Sequence, residues 1–407
     1  MRVLLVHNRY QITGGEEVVF EQERQLLKRA GHEVLTYTRT NFEAETYTGL
    51  KQIALVKNVA WSQETRSQLA AVIGEFSPDI VHVHNTFMMM SSSVFATCRE
   101  MDVPVVQTLH NYRMFCPAGN FVHRDGYVCE ECTQHGLKRG VRYGCYRESR
   151  LATATVALSV LVQRKRHAFA DSYIALTEFA RQKFVWGGLA AEMVCVKPNF
   201  VHPDPGPRSG MGDRAVYVGR LAQEKGLLTL LKAWKELKVP VPLSIVGDGP
   251  MISILRKMAD ELKPAPITFH GRLPREDTLE LLKSARFMVA PSECYENFPM
   301  SIAEAFACGV PVICSRLGAM QEIVENKRTG LHFIPGNAAD LAANVLWSWS
   351  HPHEMMEMGQ EARRVYEAKY TGEKNYPMLM EIYERVVARA AATNIAPAAV
   401  RLSLSRG

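Results

Sequence analysis

The chain has 407 residues, 47% of them hydrophobic and 22% charged, a balance that excludes wholesale disorder and gives room for about two or three domains with cores of their own. Lys and Arg number 48 against 42 Asp and Glu, a net charge of +6 that suits anionic ligands or an anionic surface but is too small on this length for a nucleic-acid binder. The opening Met1-Arg2-Val3-Leu4-Leu5-Val6-His7 turns polar too soon for a signal peptide, and no apolar run approaches the roughly 20 residues of a membrane-spanning helix. A cytoplasmic protein with reduced thiols is expected, so its nine cysteines are not a disulfide scaffold.

Short, β-branched, continuously apolar segments alternate with helical patterns twice along the chain. Strands are predicted at Val3–His7, Glu33–Tyr37, Ile80–His84, Val105–His110, Tyr173–Leu176 and Val194–Lys197. A second set follows at Ala215–Val218, Leu243–Val246, Ile267–His270, Phe287–Ala290, Val310–Cys314 and Gly330–Phe333. Strands of this kind belong to parallel sheets covered by helices on both faces. A helix is predicted over Glu16–Gly31, and Pro250 and Pro299 mark the first turns of two others. The Pro- and Gly-rich run His202–Gly212 reads as a linker. The expected organisation is one α/β domain over residues 1–203 and a second over 204–370. A helix over 371–392 packs back toward the first domain, and 393–407 form a flexible tail.

Three stretches carry chemistry. After the first strand, Gly14-Gly15-Glu16-Glu17 opens a helix, and glycines there let backbone N–H groups approach phosphate or sugar. It is neither GxGxxG nor a Walker loop. After the first strand of the second half comes Gly219-Arg220-Leu221-Ala222-Gln223-Glu224-Lys225-Gly226, whose two cations can neutralise a diphosphate. The third is Pro291–Val312, in which a loop carries Glu296 and Glu304 lies little more than a turn into the next helix. Two carboxylates so placed can accept hydrogen bonds from a polyol, while the N–H groups of Asn297, Phe298 and Met300 favour negative charge. Taken singly, each motif is equally a tight turn, a surface ion pair or a solvated charge.

In order along the chain, these motifs resemble the retaining glycosyltransferases of the two-domain GT-B fold, in the large family 4 (glycosyl transferases group 1). Thr108-Leu109-His110-Asn111, Pro198-Asn199, Gly247-Asp248-Gly249-Pro250 and Gly330-Leu331 share in the resemblance, which spans nearly the whole chain. It implies an α/β architecture of two doubly wound, Rossmann-like parallel-sheet domains facing across a cleft, an acceptor-side one over 1–203 and a nucleotide-sugar-binding one over 204–370. Arg220 and Lys225 would hold the diphosphate of a UDP- or GDP-sugar, Glu304 its ribose, and Glu296 with backbone of Asn297 and Phe298 the sugar. Gly14 and Gly15 would line the donor site. His110 would face donor sugar and acceptor, either moving a proton or only positioning a ligand. The implied reaction transfers a sugar with retention to a glycan or polyprenyl-linked hydroxyl, for a cell-surface or exported polysaccharide, and needs no catalytic metal. Asn297 departs from the Gly that many relatives carry there, and a left-handed backbone would let Asn replace it.

Cys116, Cys129, Cys132 and Cys145 follow the spacing C-x12-C-x2-C-x12-C. A central Cys-x-x-Cys with two outer thiols is a structural-zinc ligand set, with unliganded or redox-active thiols as the alternative and His123 and His135 as substitute ligands. Cys98, Cys195, Cys294, Cys308 and Cys314 sit in core-like contexts. His82 and His84 alternate on one strand face, close enough to share a ligand; one packed core ring and one strand-end ring is the simpler reading. The apolar run Val156–Val162 leads into Arg164-Lys165-Arg166, a buried helix with a solvated end or a patch for an anionic membrane. A sugar-nucleotide epimerase on the same fold and a zinc-knuckle nucleic-acid binder are the competing functions.

Overall fold

The computed structural model describes residues 1–11, 14–46, 56–262 and 266–395. The expected tail falls outside these from residue 396 onward. The described residues form two six-stranded parallel sheets. The first holds β1 (Arg2–Arg9), β2 (Glu33–Thr40), β3 (Ile80–Asn85), β4 (Val105–Thr108), β5 (Ser172–Ala175) and β6 (Val194–Val196) in the order β2-β1-β3-β4-β5-β6. The second holds β7 (Arg214–Val218), β8 (Leu243–Val246), β9 (Ile267–Gly271), β10 (Ala285–Ala290), β11 (Val312–Ser315) and β12 (Gly330–Phe333) in the order β12-β11-β10-β7-β8-β9. All twelve predicted strands are present, their ends displaced by at most three residues.

The helices used below are α1 (Gly15–Arg29), α2 (Glu131–His135), α3 (Lys138–Tyr143), α4 (Arg150–Lys165), α5 (Glu178–Trp186), α6 (Leu227–Glu236), α7 (Arg275–Lys283), α8 (Met300–Ala307), α9 (Ala338–Ser350), α10 (Pro352–Lys369) and α11 (Gly372–Ile395). The glutamates of α1's first turn and its last-turn Lys28 and Arg29 oppose the helix dipole favourably. Pro299 is the residue before α8 rather than inside its first turn, and the other proline-marked helix starts at Ile252, two residues past Pro250.

Each sheet is buried on both faces, as continuous apolar strands require. In the second sheet, Val216, Met288, Val312 and Cys314 face one core with α8 and α10, while Ala215, Ile245, Phe287 and Ile313 face another with α6 and α9. In the first sheet, Leu4, Val6, Val81 and Val83 point to one side and Val3, Leu5, Ile80 and Val106 to the other. The cover on that second side comes from α1 and from the far end of the chain: Leu379, Ile382, Tyr383 and Val386 of α11 complete the cluster. Polar contacts fix the crossing. Asn375 Nδ2 donates to the Pro198 carbonyl at 2.6 Å, and the Tyr376 hydroxyl lies 2.8 Å from His32 Nε2. The last helix is thus a structural part of the first sheet's core.

Candidate active site

In an open parallel sheet a ligand crevice forms where neighbouring strands send their connections to opposite faces, beyond the strands' carboxyl ends. The two strand orders place those points between β1 and β3 and between β7 and β10. The second crevice collects the predicted donor residues. The β7 exit carries Arg220 and Lys225, and the β10 exit carries Glu296. Lys225 Nζ lies 2.6 Å from Glu296 Oε1, which also accepts from Ser292 Oγ at 2.7 Å. Burial opposes both charges, yet each ion holds the other charged: Glu296 sits below the usual carboxylate value and Lys225 above the usual ammonium value. Arg220 is largely exposed and pairs with Glu224.

Gly226 makes this approach of two loops feasible. Its φ is +69°, and a Cβ there would fall 1.9 Å from the Pro291 carbonyl oxygen, so no side chain fits between the β7 and β10 exits. Gly247 plays the same part beneath Gly219, with φ +134° and a Cβ position 1.9 Å from the Gly219 carbonyl oxygen.

Glu304 points from the inner face of α8 and is held by Arg275, the first residue of α7, at 3.4 Å. Burial raises the Glu304 carboxyl despite that cation. Arg275 was not foreseen; an Arg opening a polar helix gives no local signal of its partner. Asn297 is buried, with Oδ1 unpaired, and it does not adopt the left-handed backbone proposed to let it replace Gly. Phe298 packs on Tyr370 with ring centroids 5.4 Å apart, so only its backbone is open to a ligand.

Across the cleft, Gly15 meets α8: a Cβ on it would come within 3.2 Å of Met300 Cγ. The Gly14 N–H is already taken by Glu17 Oε2 at 2.8 Å. His110 lies two residues beyond β4 and lines a cavity of about 80 Å³ with His84, Asn85, Asn111, Arg113 and residues of α4. Two residues further on, the buried Tyr112 hydroxyl has no hydrogen-bond partner and is pushed up by burial and then by Cys294 and Glu296 of the second domain. A larger concavity, about 670 Å³, lies between α9 and α10 and contains none of these residues.

The floor of the first crevice is a histidine cluster. His82 and His84 share Glu23, an α1 residue that sequence reasoning missed, at 2.8 and 3.1 Å. The two rings lie 4.5 Å apart, so the core ring and the strand-end ring belong to one network. Burial lowers His82 from 6.5 to about 4 and His7 to about 3, and drives His110 well below its ordinary value. The unfolded chain protonates these rings near pH 6.5, so between about pH 6.5 and 4 it binds more protons than the fold does. Stability therefore falls as pH falls through that window, by about 1.4 kcal/mol per pH unit for each ring. Glu23, held well below 4.5 against its burial by Lys197, His82 and His84, adds a further loss at lower pH. Thermal midpoints measured across pH 7.5 to 4 should drop steeply below pH 6.5; a flat profile would contradict the neutral buried rings.

The cysteine loop packs between α4 and the cleft. Val122 and Val128 form an antiparallel bridge, and α2 and α3 follow. Its tip reaches the donor loop, where a Cβ on Gly126 would meet Gln223 Nε2 at 2.6 Å. All four cysteines are free thiols. Backbone N–H groups of Glu131, Gly140 and Arg124 serve Cys129, Cys132 and Cys145, and burial pushes Cys132 up to about 12 and Cys145 to about 11. Among the described residues, the His, Cys, Asp and Glu set whose ligand atoms all lie within 4.8 Å is Glu23, His82 and His84, not the four sulfurs. His123 instead stacks on Tyr127 at 4.6 Å and faces Asp125. Of the cysteines given core-like contexts, Cys195 is only half-buried, 3.0 Å from Arg385 Nη2.

Two doubly wound sheets with an ion-paired crevice at the switch point of the second define a GT-B protein. Residues 13–205 match the family described as Glycosyltransferase Family 4, and residues 204–365 match Glycosyl transferases group 1. The two matches, one to each half, together with the fold support a GT-B glycosyltransferase of the group 1 type. It is 34% identical over 167 residues to D-rhamnosyltransferase WbpZ of Pseudomonas aeruginosa, covering 40% of this chain and 43% of that one. It is 24% identical over 366 residues to the sulfoquinovosyl transferase SQD2 of Arabidopsis thaliana, covering 86% and 66%. A third relative, the putative teichuronic acid biosynthesis glycosyltransferase TuaC of Bacillus subtilis, is 33% identical over 175 residues, 42% of each chain. The chain thus spans less than two thirds of the length of each of these relatives. Among solved structures, Anabaena Alr3699/HepE in complex with UDP superposes with TM-score 0.66 at 17% identity, covering 95% of this chain and 100% of that one. Sucrose-phosphate synthase from Thermosynechococcus elongatus superposes at 0.70 with 18% identity, covering 95% and 99%.

Proposed function

We propose that the chain transfers a sugar from a UDP- or GDP-sugar to a hydroxyl of a glycan or polyprenyl-linked acceptor, with retention at the anomeric carbon. The buried Lys225–Glu296 pair at the β7/β10 switch point carries the reading. A cation and an anion held 2.6 Å apart can separate onto the two halves of one ligand, Lys225 onto the diphosphate and Glu296 onto the sugar hydroxyls. Arg220 adds a second cation, Glu304 accepts the ribose hydroxyls, and N–H groups of Asn297 and Phe298 steady the sugar. As the bond from anomeric carbon to diphosphate oxygen breaks, its electron pair goes to the diphosphate, and Arg220 and Lys225 stabilise that charge without a metal. The acceptor oxygen bonds to the anomeric carbon on the same face, and its proton passes to the departing phosphate oxygen. Relatives named for rhamnosyl transfer and teichuronic acid synthesis support a role in surface polysaccharide assembly. The test is nucleotide release from UDP- and GDP-sugars with glycan and polyprenyl-phosphate acceptors, the product's anomeric configuration being read by NMR. An inverted product would sink the retaining mechanism; interconversion of the donor sugar without transfer would favour an epimerase.

The acceptor side supports work at an anionic membrane from the cytoplasmic face. Helix α4 leaves Leu151, Leu158 and Leu161 exposed and ends in Arg164, Lys165 and Arg166. Among the described residues no helix is long and apolar enough to cross a bilayer. Each cation near an anionic surface contributes about 1 kcal/mol, so neutralising Lys165 and Arg166 together should weaken binding to phosphatidylserine vesicles about thirtyfold. Flotation unchanged by that double variant would remove the membrane from the account.

The cysteine loop is proposed to take one structural zinc. Four thiols on one loop, three of them approached by backbone N–H groups, are the right donors in kind, and binding would draw their sulfurs together. Metal analysis of the purified chain should find about one zinc per chain, lost in Cys129→Ser/Cys132→Ser. Metal-free protein with unchanged thermal stability would leave the four as plain thiols.

A further inference from the structure

Behind His110 lies a line of buried polar side chains with no part in donor binding. Lys197 Nζ donates to Glu23 Oε2 at 3.1 Å and to Asn375 Oδ1 of α11 at 3.0 Å, with Lys197 and Glu23 each 1% exposed. Glu23 Oε1 meets His84 Nε2 at 3.1 Å. His84 Nδ1 lies 3.0 Å from His110 Nε2, with the two ring planes only 18° apart. The other nitrogen of His110, Nδ1, has no partner among the described residues, and His110 itself lines the cavity at the carboxyl ends of β3 and β4.

The spacing of Glu23, His82 and His84 would also suit a cation, but their surroundings do not. The Lys197 ammonium already neutralises Glu23. Both nitrogens of His82 are engaged, Nδ1 with the Tyr383 hydroxyl at 2.7 Å and Nε2 with Thr108 Oγ1 at 2.8 Å. A divalent ion would sit beside a buried ammonium, and the ring would have to give up the partner on the nitrogen it used.

The hydrogen bonds have a direction. An ionised carboxylate only accepts, so Glu23 requires a proton on His84 Nε2. With that proton on Nε2, the neutral His84 ring offers Nδ1 as an acceptor, and Nδ1 is the atom that faces His110 Nε2. That acceptor requires a proton on His110 Nε2, and a neutral His110 then carries a bare lone pair on Nδ1. We propose that Glu23 and His84 are positioning residues that lock His110 in its Nε2–H tautomer, so that Nδ1 accepts a hydrogen bond from an acceptor hydroxyl beside the attacking one, whose own proton goes to the departing phosphate oxygen. The occupant named here rests on the sugar-transfer reading; the tautomer does not. Asn375 and Lys197 extend the line to α11, so the last helix supports the acceptor site as well as the core.

The test is ring-nitrogen NMR of the full-length chain, with His110 assigned by comparison with His110→Asn. In the wild type, His110 Nε2 should be protonated and Nδ1 bare. His84→Phe keeps the Lys197–Glu23 pair but removes the acceptor, so His110 should exchange between both tautomers. With the acceptor hydroxyl no longer held in place, turnover should fall about a hundredfold while sugar-nucleotide binding on the second domain stays unchanged. His84→Asn, whose carbonyl can take the place of Nδ1, should restore the tautomer and most of the rate. A wild-type His110 protonated on Nδ1, or a tautomer untouched by His84→Phe, would overturn the proposal. An Nε2–H tautomer in a chain inactive with every sugar nucleotide would uphold the lock and sink the transfer reading instead.

Discussion

Lys225→Ala is expected to lower transfer by about a thousandfold, close to 4 kcal/mol of transition-state stabilisation. Two effects add. The variant loses a cation aimed at the charge that gathers on the leaving diphosphate. It also leaves Glu296, whose side chain is 15% exposed, without the ammonium that keeps it ionised. Burial would then raise the Glu296 carboxyl, and a protonated Glu296 no longer presents two acceptors to the sugar. Lys225→Arg is a sharper control, since it keeps the charge but cannot keep a 2.6 Å point contact in a loop packed around Gly226. It should recover nucleotide binding better than turnover. Steady-state kinetics that find Lys225→Ala within tenfold of wild type would remove the diphosphate role.

Tyr383→Ala should destabilise the first domain by about 3 to 5 kcal/mol, the cost of deleting a large buried aromatic side chain and leaving a cavity. Tyr383 is fully buried in α11 among Val3, Leu5, Ile80, Val106 and Ile174, and its hydroxyl meets His82 at 2.7 Å. Removing it therefore also leaves a polar contact of the histidine cluster unmade. That loss is a large share of the roughly 5 to 15 kcal/mol that holds a typical domain folded. Removing α11 altogether takes Leu379, Ile382 and Val386 as well, and the first domain should not fold without them. Denaturant unfolding of Tyr383→Ala with an unchanged midpoint would show that the helix is not part of that core.

The fold was legible because a doubly covered parallel sheet writes itself in continuous apolar strands such as Leu243–Val246 and Gly330–Phe333, whose predicted limits match the structure. Lys225 and Glu296 were legible because each follows directly on a strand, and strands of one sheet deliver their ends to one place. Glu23, Lys197 and Asn375 were not. They stand 174 and 178 residues apart in the chain: Glu23 and Lys197 meet because α1 packs across the first sheet, and Asn375 joins them because α11 returns to it. Glu23 also sits among the charged residues of α1, where nothing in the periodicity separates a fully buried carboxylate from a solvated one. Arg275 escaped for the same reason, as did the contact between Gly126 and Gln223, which depends on how a long loop folds over the cleft. Side chains that act within one strand connection leave a local mark, whereas those that act through tertiary packing do not.

The most direct test of the central claim is a thermal-shift comparison of the wild type and Lys225→Ala against UDP-, GDP- and ADP-sugars. A ligand at about 100 times its dissociation constant stabilises its protein by about 2.7 kcal/mol. A clear upward shift is expected with one nucleotide class in the wild type and none in the variant. A shift of equal size in both proteins, or none with any sugar nucleotide in either, would contradict a donor site built on Lys225 and Glu296.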